Sequence, residues 1–347
     1  MSAVETQDTS LPIYTAKDFA TDQDVRWCPG CGDYAVLATV RKALPKINRK
    51  KEDYVFVSGI GCAARFPYYM DTYGMHSIHG RALAVATGVK VANPDLEVCV
   101  VSGDGDLLSI GGNHTLHTMR RNVDITILLL NNKIYGLTKG QYSPTSEVGK
   151  VTASTPMGSI DYPINPIAIA VAAGCTFIAR SIDVDVKGMD EIVLRAMAHR
   201  GTSFVEVYQD CNIFNHKAWF YASQKDTKPE NTIGVVHGKP LIFGADRDKG
   251  IRFNGGRPEI VTIGENGITE ADLIVHDEKD RSLASMYAQM AYPEFPEPIG
   301  ILYADPSRPT YDSQVHQQVD EARAKGGEPT DEALQALITG NESWEIE

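Results

Sequence analysis

The sequence predicts an α/β protein, a parallel sheet with helices on both faces, and three observations carry that expectation. Apolar runs of strand length alternate with stretches of helical periodicity between Tyr54 and Val207, the order that builds parallel strands with crossover helices. Ile125 to Leu130 is almost continuously apolar, as a strand buried on both faces must be. Loops 59–62, 103–106 and 131–136 each follow a predicted strand, on the edge where such sheets bind ligands.

Taken in order, residues 1–24 read as an extended N-terminal arm. A helix is expected from Asp33 to Leu44, where Tyr34, Leu37, Ala38 and Leu44 recur at helical spacing and Pro45 closes the stretch. Tyr54–Ser58 reads as a strand ending in Gly59-Ile60-Gly61-Cys62. Gly80 to Val91 is a helix of small residues followed by Pro94. Glu97–Ser102 is a second strand, ending in Gly103-Asp104-Gly105-Asp106, with a helix after it to about Arg121. Ile125–Leu130 leads into Asn131-Asn132. Helices are expected over Pro166–Ala173 and Asp190–Arg200, and a strand over Ser203–Val207 before Gln209-Asp210-Cys211. Beyond Ala222 the pattern weakens. Gly234 to Arg257 reads mostly as loop, Ile260–Ile263 and Ile299–Tyr303 as strands, Leu283–Ala291 and Asp331–Ile338 as helices, and the end from about Gln317 as polar. The expected division is an arm (1–24), an α/β domain (25–222) and a C-terminal extension (223–347).

Composition narrows the function classes. Of 347 residues, 43% are hydrophobic and 22% charged, as in a soluble globular chain. No apolar run reaches the roughly 18 residues that span a bilayer, and the polar start lacks the order of a signal peptide. A cytoplasmic protein without membrane contact is expected. The net charge of −12, from 33 Lys+Arg against 45 Asp+Glu, argues against a nucleic-acid partner. Arg41, Lys42, Lys46, Arg49, Lys50 and Lys51 crowd one helix end, either as a solvated terminus or as a docking patch for an acidic partner.

Six cysteines in such a chain point to metal or redox roles rather than disulfides. Cys28-Pro29-Gly30-Cys31 puts two thiols on one tight turn, suited to zinc, an iron–sulfur cluster or a redox pair. Cys62 and Cys211 follow strands and so lie near the ligand edge. Cys99 and Cys175 sit in core-like stretches, where a free cysteine acts as a small hydrophobe. The four-residue set is Cys28, Cys31, Cys62 and Cys211, and zinc stays open beside a cluster.

Gly103-Asp104-Gly105, then a helix and a strand, then Asn131-Asn132, resembles the diphosphate-binding motif of thiamine-diphosphate enzymes. That resemblance implies a magnesium ion held by Asp104, Asn132 and the main-chain carbonyl of Ile134. Magnesium favours oxygen ligands in near-octahedral geometry, usually one or two of them carboxylates, with phosphate and water completing the set. Gly103 and Gly105 let the backbone approach the phosphates, and helical N–H groups after Gly105 face the anion. Asp106, Tyr135, Gly136, Leu137 and Thr138 continue the two loops, and Ile60, Gly61 and Cys62 approach the cofactor from the third. His79 is either a diphosphate contact or a core histidine.

Together with Trp27-Cys28-Pro29-Gly30-Cys31-Gly32, Gly59-Ile60-Gly61-Cys62 and Asp210-Cys211-Asn212-Ile213-Phe214-Asn215, the motif over residues 25–222 resembles the β subunit of 2-oxoacid:ferredoxin oxidoreductases, most of all those acting on 2-oxoglutarate. The resemblance implies a thiamine diphosphate-binding domain with a C-terminal extension and a 4Fe–4S cluster on the four cysteines. It also implies oxidative decarboxylation with coenzyme A to succinyl-CoA and CO2, in either direction, with electrons passing to ferredoxin. The glutamate that activates thiamine is absent from this pattern, which implies a partner α subunit with the pyrimidine-binding domain, in an α2β2 assembly. Arg65 and Lys139 stand at the expected pocket as cations for a second substrate carboxylate, or alternatively for coenzyme A phosphates, the partner chain or solvent. Pyruvate or another 2-oxoacid, a non-oxidative thiamine decarboxylase or carboligase, and a non-catalytic iron–sulfur carrier are the alternatives.

Overall fold

The computed structural model describes residues 12–327, 330–342 and 344. Residues 1–11 of the expected arm, and a few positions near the C-terminus, lie outside the described residues. The strands are β1 (Tyr54–Ser58), β2 (Tyr73–His76), β3 (Glu97–Gly103), β4 (Thr126–Asn131), β5 (Phe177–Ile182), β6 (Ser203–Tyr208), β7 (Thr232–Val235), β8 (Ile242–Phe243), β9 (Lys249–Asn254), β10 (Arg257–Thr262) and β11 (Glu297–Ala304). The helices are α1 (Asp33–Ile47), α2 (Ala82–Ala92), α3 (Gly112–Arg121), α4 (Pro166–Ala173), α5 (Val186–Ala198), the one-turn α6 (Phe220–Ser223) and α7 (Lys228–Asn231), then α8 (Arg281–Tyr287), α9 (Tyr311–Gly326) and α10 (Asp331–Thr339).

Eight strands form one sheet in the order β2-β1-β3-β4-β6-β5-β11-β7. The first six run parallel, while β11 pairs antiparallel with β5 and parallel with β7. Strands β1, β4, β5 and β6 are buried along their whole length, because both faces are covered. One face packs Val36, Leu37 and Val40 of α1 and Ile192, Val193 and Ala196 of α5 against Phe56, Leu128 and Val205. The other packs α2, α3, α4 and α8 against Val57, Val100, Ile127, Leu129 and Phe204. The chain steps from β1 outward to β2 and then returns to the far side of β1 as β3. That reversal opens a crevice at the carboxyl ends of β1 and β3.

Several local expectations change. Pro45 does not end α1; the helix runs on to Ile47 and stops at Asn48, which takes the left-handed conformation at φ 59°. Burial of Leu44 and the packing of Ile47 against the same layer hold this last turn. Strand β5 went unpredicted because Arg180 interrupts its apolar run, although the strand is wholly buried. Edge strand β2, exposed throughout, carries no core signal. The polar stretch after Tyr311 forms the long helix α9, whose one buried residue is Asp312.

The region 234–257 is loop over a little more than half its length, but it is not without strands. It supplies β8 and β9 of a three-stranded antiparallel sheet, with β10 joined to β9 through Gly255-Gly256. Both glycines have positive φ, 56° and 81°, the conformation a two-residue hairpin turn demands. Strands β7 and β11 lie past residue 222 yet complete the main sheet, so the sheet continues across the expected boundary. The basic helix end is drawn into the chain's own contacts: Lys46 pairs with Asp190 at 2.6 Å, Arg49 with Glu97 at 3.8 Å, Lys51 with Asp71, and Arg41 donates to the Tyr69 carbonyl. Among the described residues no helix is long and apolar enough to cross a membrane.

Arg180 joins β5, β6 and β11. Its Nε donates to Glu206 at 2.8 Å and its Nη1 to Glu297 at 2.8 Å, with all three side chains buried. Removing the cation strands two carboxylates in the interior. Arg180→Met is expected to lower unfolding free energy by about 3–5 kcal/mol in urea denaturation; a loss under about 1 kcal/mol would show that the pair contributes little.

Candidate functional site

Four loops meet at the carboxyl ends of β1, β3, β4 and β6, and together they form two adjoining cavities. The first, of about 220 Å3, is lined by Ile60, Gly61, Cys62, His79, Gly103, Asp104, Gly105, Asp106, Asn132, Ile134, Tyr135, Gly136, Leu137 and Thr138, all expected at the cofactor. Asp33, Ala63 and Leu130 also line it. The second, of about 690 Å3, is lined by Cys28, Cys31, Cys62 and Cys211 with Arg65 and Lys139. The cavities share Asp33, Ile60, Gly61, Cys62, Asn132, Gly136 and Leu137.

Asp104 is 1% exposed. Its Oδ2 accepts hydrogen bonds from Ser143 and, at 2.5 Å, from Thr145. Among the described residues no basic side chain forms an ion pair with it. Burial raises its pKa, against which the two hydroxyls favour the charged form. Asn131 faces inward: its Nδ2 donates to Glu206 at 2.8 Å, and its Oδ1 lies 2.9 Å from the Thr145 hydroxyl, whose one proton Asp104 shares at the shorter distance. Asn132 is the asparagine that lines the cavity, with Oδ1 accepting the Ile134 N–H at 3.2 Å.

Asp106 also lines the cavity, but its oxygens are already engaged. Oδ1 accepts from the Gly80 N–H at 2.8 Å and contacts His79 Nδ1, and Oδ2 accepts from Ser102 at 2.7 Å. Asp106 thus fixes the His79 ring through Nδ1, on the wall of the same cavity. Tyr135 donates to the Gly105 carbonyl at 2.9 Å and packs flat against that glycine. A Cβ on Gly105 would stand 2.2 Å from the Tyr135 ring.

The cysteine segments are pinned to the same loops. Trp27 Nε1 donates to the Cys62 carbonyl at 2.9 Å, and Asn215 Nδ2 donates to the Asn132 carbonyl at 3.0 Å. A Cβ on Gly136 would lie 3.5 Å from Cys211 Sγ and 3.8 Å from Cys62 Sγ. Burial, with the Asp33 charge adding to it, pushes the Cys62 thiol up to about 12 and raises Cys31 further. Asp33 itself is raised to about 7, chiefly by burial. Cys99 and Cys175 are each 1% exposed within the core, and all six cysteines are free. Arg65 and Lys139 are exposed side chains on the wall of the cysteine cavity alone.

Sequence reasoning misses Ser143, Thr145 and Asp33; Trp27 and Asn215 stand in the quoted motifs, but their part as clamps comes from the structure. The hydroxyls lie in Ser143-Pro144-Thr145-Ser146, which has no periodicity to mark it. Asp33 was read as the first residue of a helix, and nothing in its spacing marks it as buried.

Residues 59–207 match the family model described as the C-terminal TPP-binding domain of thiamine pyrophosphate enzymes. The chain is 49% identical over 333 residues to the 2-oxoglutarate oxidoreductase subunit KorB of Mycobacterium tuberculosis, covering 95% of this chain and 88% of that one. It is 47% identical over 197 residues to the β subunit of 2-oxoacid:ferredoxin oxidoreductase 1 of Aeropyrum pernix, covering 56% of this chain and 62% of that relative. The structure of a 2-oxoglutarate:ferredoxin oxidoreductase from Magnetococcus marinus, with 2-oxoglutarate, coenzyme A and succinyl-CoA bound, superposes with a TM-score of 0.75 at 32% identity, over 96% of this chain and 98% of that one.

Gly105→Ala forces the Tyr135 ring off the loop. The variant is expected to fold, with a near-unchanged circular dichroism spectrum, and to bind thiamine diphosphate at least about tenfold more weakly, as when a supporting contact of a binding site is lost. Unchanged affinity would mean that the loop tolerates the displacement.

Proposed function

The chain belongs to the family of 2-oxoacid:ferredoxin oxidoreductase β subunits, and from that premise we propose that it holds thiamine diphosphate, magnesium and a 4Fe–4S cluster for the coenzyme A-dependent oxidative decarboxylation of 2-oxoglutarate to succinyl-CoA and CO2. Electrons leave to ferredoxin. The observation that carries this reading is the wall shared by the two cavities, which puts the cysteine set against the Asp104–Asn132 loops.

The residues present fit each group. Asp104 is a buried carboxylate with hydroxyl donors and no cation, a donor set that a divalent ion completes. Asn132 and the Ile134 carbonyl would supply its other protein ligands. Gly103 leaves open space beside residues 135–138 on the cavity wall, and Gly105 leaves room for the Tyr135 ring. Four thiols line one cavity, and their mutual repulsion as thiolates is relieved by a cationic iron cluster.

When bound, thiamine diphosphate supplies the carbon nucleophile and electron store for decarboxylation, and the cluster supplies one-electron transfer. The chain's own part is positional. Asp106 orients His79 toward the diphosphate. Asn215 and Trp219 hold the backbone on either side of Asn132, Trp219 by donating to the Asn131 carbonyl at 2.8 Å. Arg65 and Lys139 stand at the substrate side, where a cation pairs with the second carboxylate of 2-oxoglutarate, bidentately in the case of arginine. Leu137 and Tyr68 line the cavities while 60% and 50% exposed, apolar surface that a partner subunit would cover. That partner, an α subunit, would supply the glutamate that activates thiamine.

The test is anaerobic co-purification with the partner subunit, followed by iron, sulfide, magnesium and thiamine analysis and a 2-oxoacid panel. Iron and sulfide near four atoms each per chain are expected; a colourless protein with stoichiometric zinc would overturn the cluster. Asp104→Ala is expected to weaken thiamine diphosphate binding by about 100-fold or more, and binding unaffected by this change would remove Asp104 as a ligand. Arg65→Ala should cut kcat/KM for 2-oxoglutarate by about tenfold or more and change that for pyruvate little. An equal loss on both substrates would exclude Arg65 from specificity.

A further inference from the structure

Gln209 lies between β6 and Cys211 and is 1% exposed. Its Nε2 donates to the Asp210 carbonyl at 2.8 Å and to Cys31 Sγ at 3.2 Å. Chemistry dictates this orientation. A carbonyl can only accept, so the amide must turn its NH2 toward Asp210, and the second hydrogen of that group then meets the sulfur. Nor is the amide there for general satisfaction, since its Oε1 is buried without a partner. The backbone fixes the residue as well: its N–H donates to the Asn131 carbonyl at 3.0 Å, tying it to the end of β4. Among the described residues Gln209 is the one side chain that donates to a sulfur of Cys28, Cys31, Cys62 or Cys211.

We propose that Gln209 tunes the cluster through this bond, holding its reduction potential higher than the four thiolates alone would set it. The inference rests on the reading of those cysteines as cluster ligands. In the step concerned one electron, derived from the 2-oxoacid, enters the cluster; no proton moves and no bond is made or broken. The added negative charge spreads onto the ligand sulfurs. An N–H directed at a sulfur stabilises that reduced form more than the oxidised one, and burial strengthens the effect. Gln209 acts through Cys31 and is a positioning residue, not a catalytic one.

The experiment uses the complex with its partner subunit, purified anaerobically, as wild type, Gln209→Leu and Gln209→Glu. Leucine removes the donor at similar volume; glutamate removes it and adds negative charge. Iron and sulfide are counted, and the reduced cluster is followed by electron paramagnetic resonance during a redox titration. The expected result is an unchanged iron and sulfide content, with a midpoint more negative in Gln209→Leu and more negative still in Gln209→Glu. An unmoved midpoint in both variants with the cluster intact overturns the proposal. So does loss of iron from both, because Gln209 would then be holding the cysteine turn rather than setting the potential. A wild-type complex without iron and sulfide would instead overturn the cluster reading itself, and with it this proposal.

Discussion

A buried carboxylate with no counter-charge among the described residues organises this protein. Burying an ion unpaired is costly, and Asp104 is kept where it is by a chain of polar contacts running back through the sheet. Thr145 bridges Asp104 and Asn131, Asn131 donates to Glu206, and Glu206 and Glu297 share Arg180. Tyr208 adds a hydrogen bond to Glu297 at 2.9 Å and stacks on Trp219 with ring centroids 3.5 Å apart. Lys133, next to Asn132, caps that stack with its ammonium 3.7 Å from the Trp219 centroid. Each member is satisfied by the next, the condition under which a polar network rigidifies an interior instead of weakening it. The loops at the sheet edge are thus fixed from beneath by side chains that never reach the cavity.

The central parallel sheet was legible because burial on both faces writes itself as apolar runs, as in Ile125–Leu130. The same rule hid β5, where Arg180 breaks the run, although the arginine is there because its two carboxylate partners are. The cofactor loops were legible for a different reason. Glycine beside aspartate, and paired asparagines, at strand ends mark places where backbone must approach a ligand. Their supports were not legible. Ser143, Thr145, Asn215 and Gln209 are ordinary polar residues whose meaning depends on neighbours distant in sequence, and spacing along the chain holds no trace of that. Asp106 shows the limit from the other side: its place in the motif puts it beside the cofactor, and what the motif does not tell is that its carboxylate holds His79.

The cysteine set shows how far grouping alone can go. The Cys28–Cys31 turn and the strand-end positions of Cys62 and Cys211 separate four cysteines from two, and the structure places those four on one cavity and the other two in the core. What the grouping could not supply is the contact between the sets. Gly136 belongs to the loop of Asn132, and it lies against the sulfurs of Cys62 and Cys211.

Arg180 also separates two ideas of a domain that are easily confused. The stretch that matches thiamine enzymes, residues 59–207, is the unit that recurs among proteins. Glu297, which neutralises half of the Arg180 environment, and strand β11, which covers the edge of β5, come from almost a hundred residues later. A gene fragment cut to the recurring unit would keep the Asp104 and Asn132 loops but lose Cys28, Cys31 and Cys211, and it would open β5 as a raw sheet edge, the kind of surface that invites aggregation. The heritable module in this chain is therefore smaller than the piece of polypeptide able to fold, and swapping such modules between relatives must carry the distant strand along.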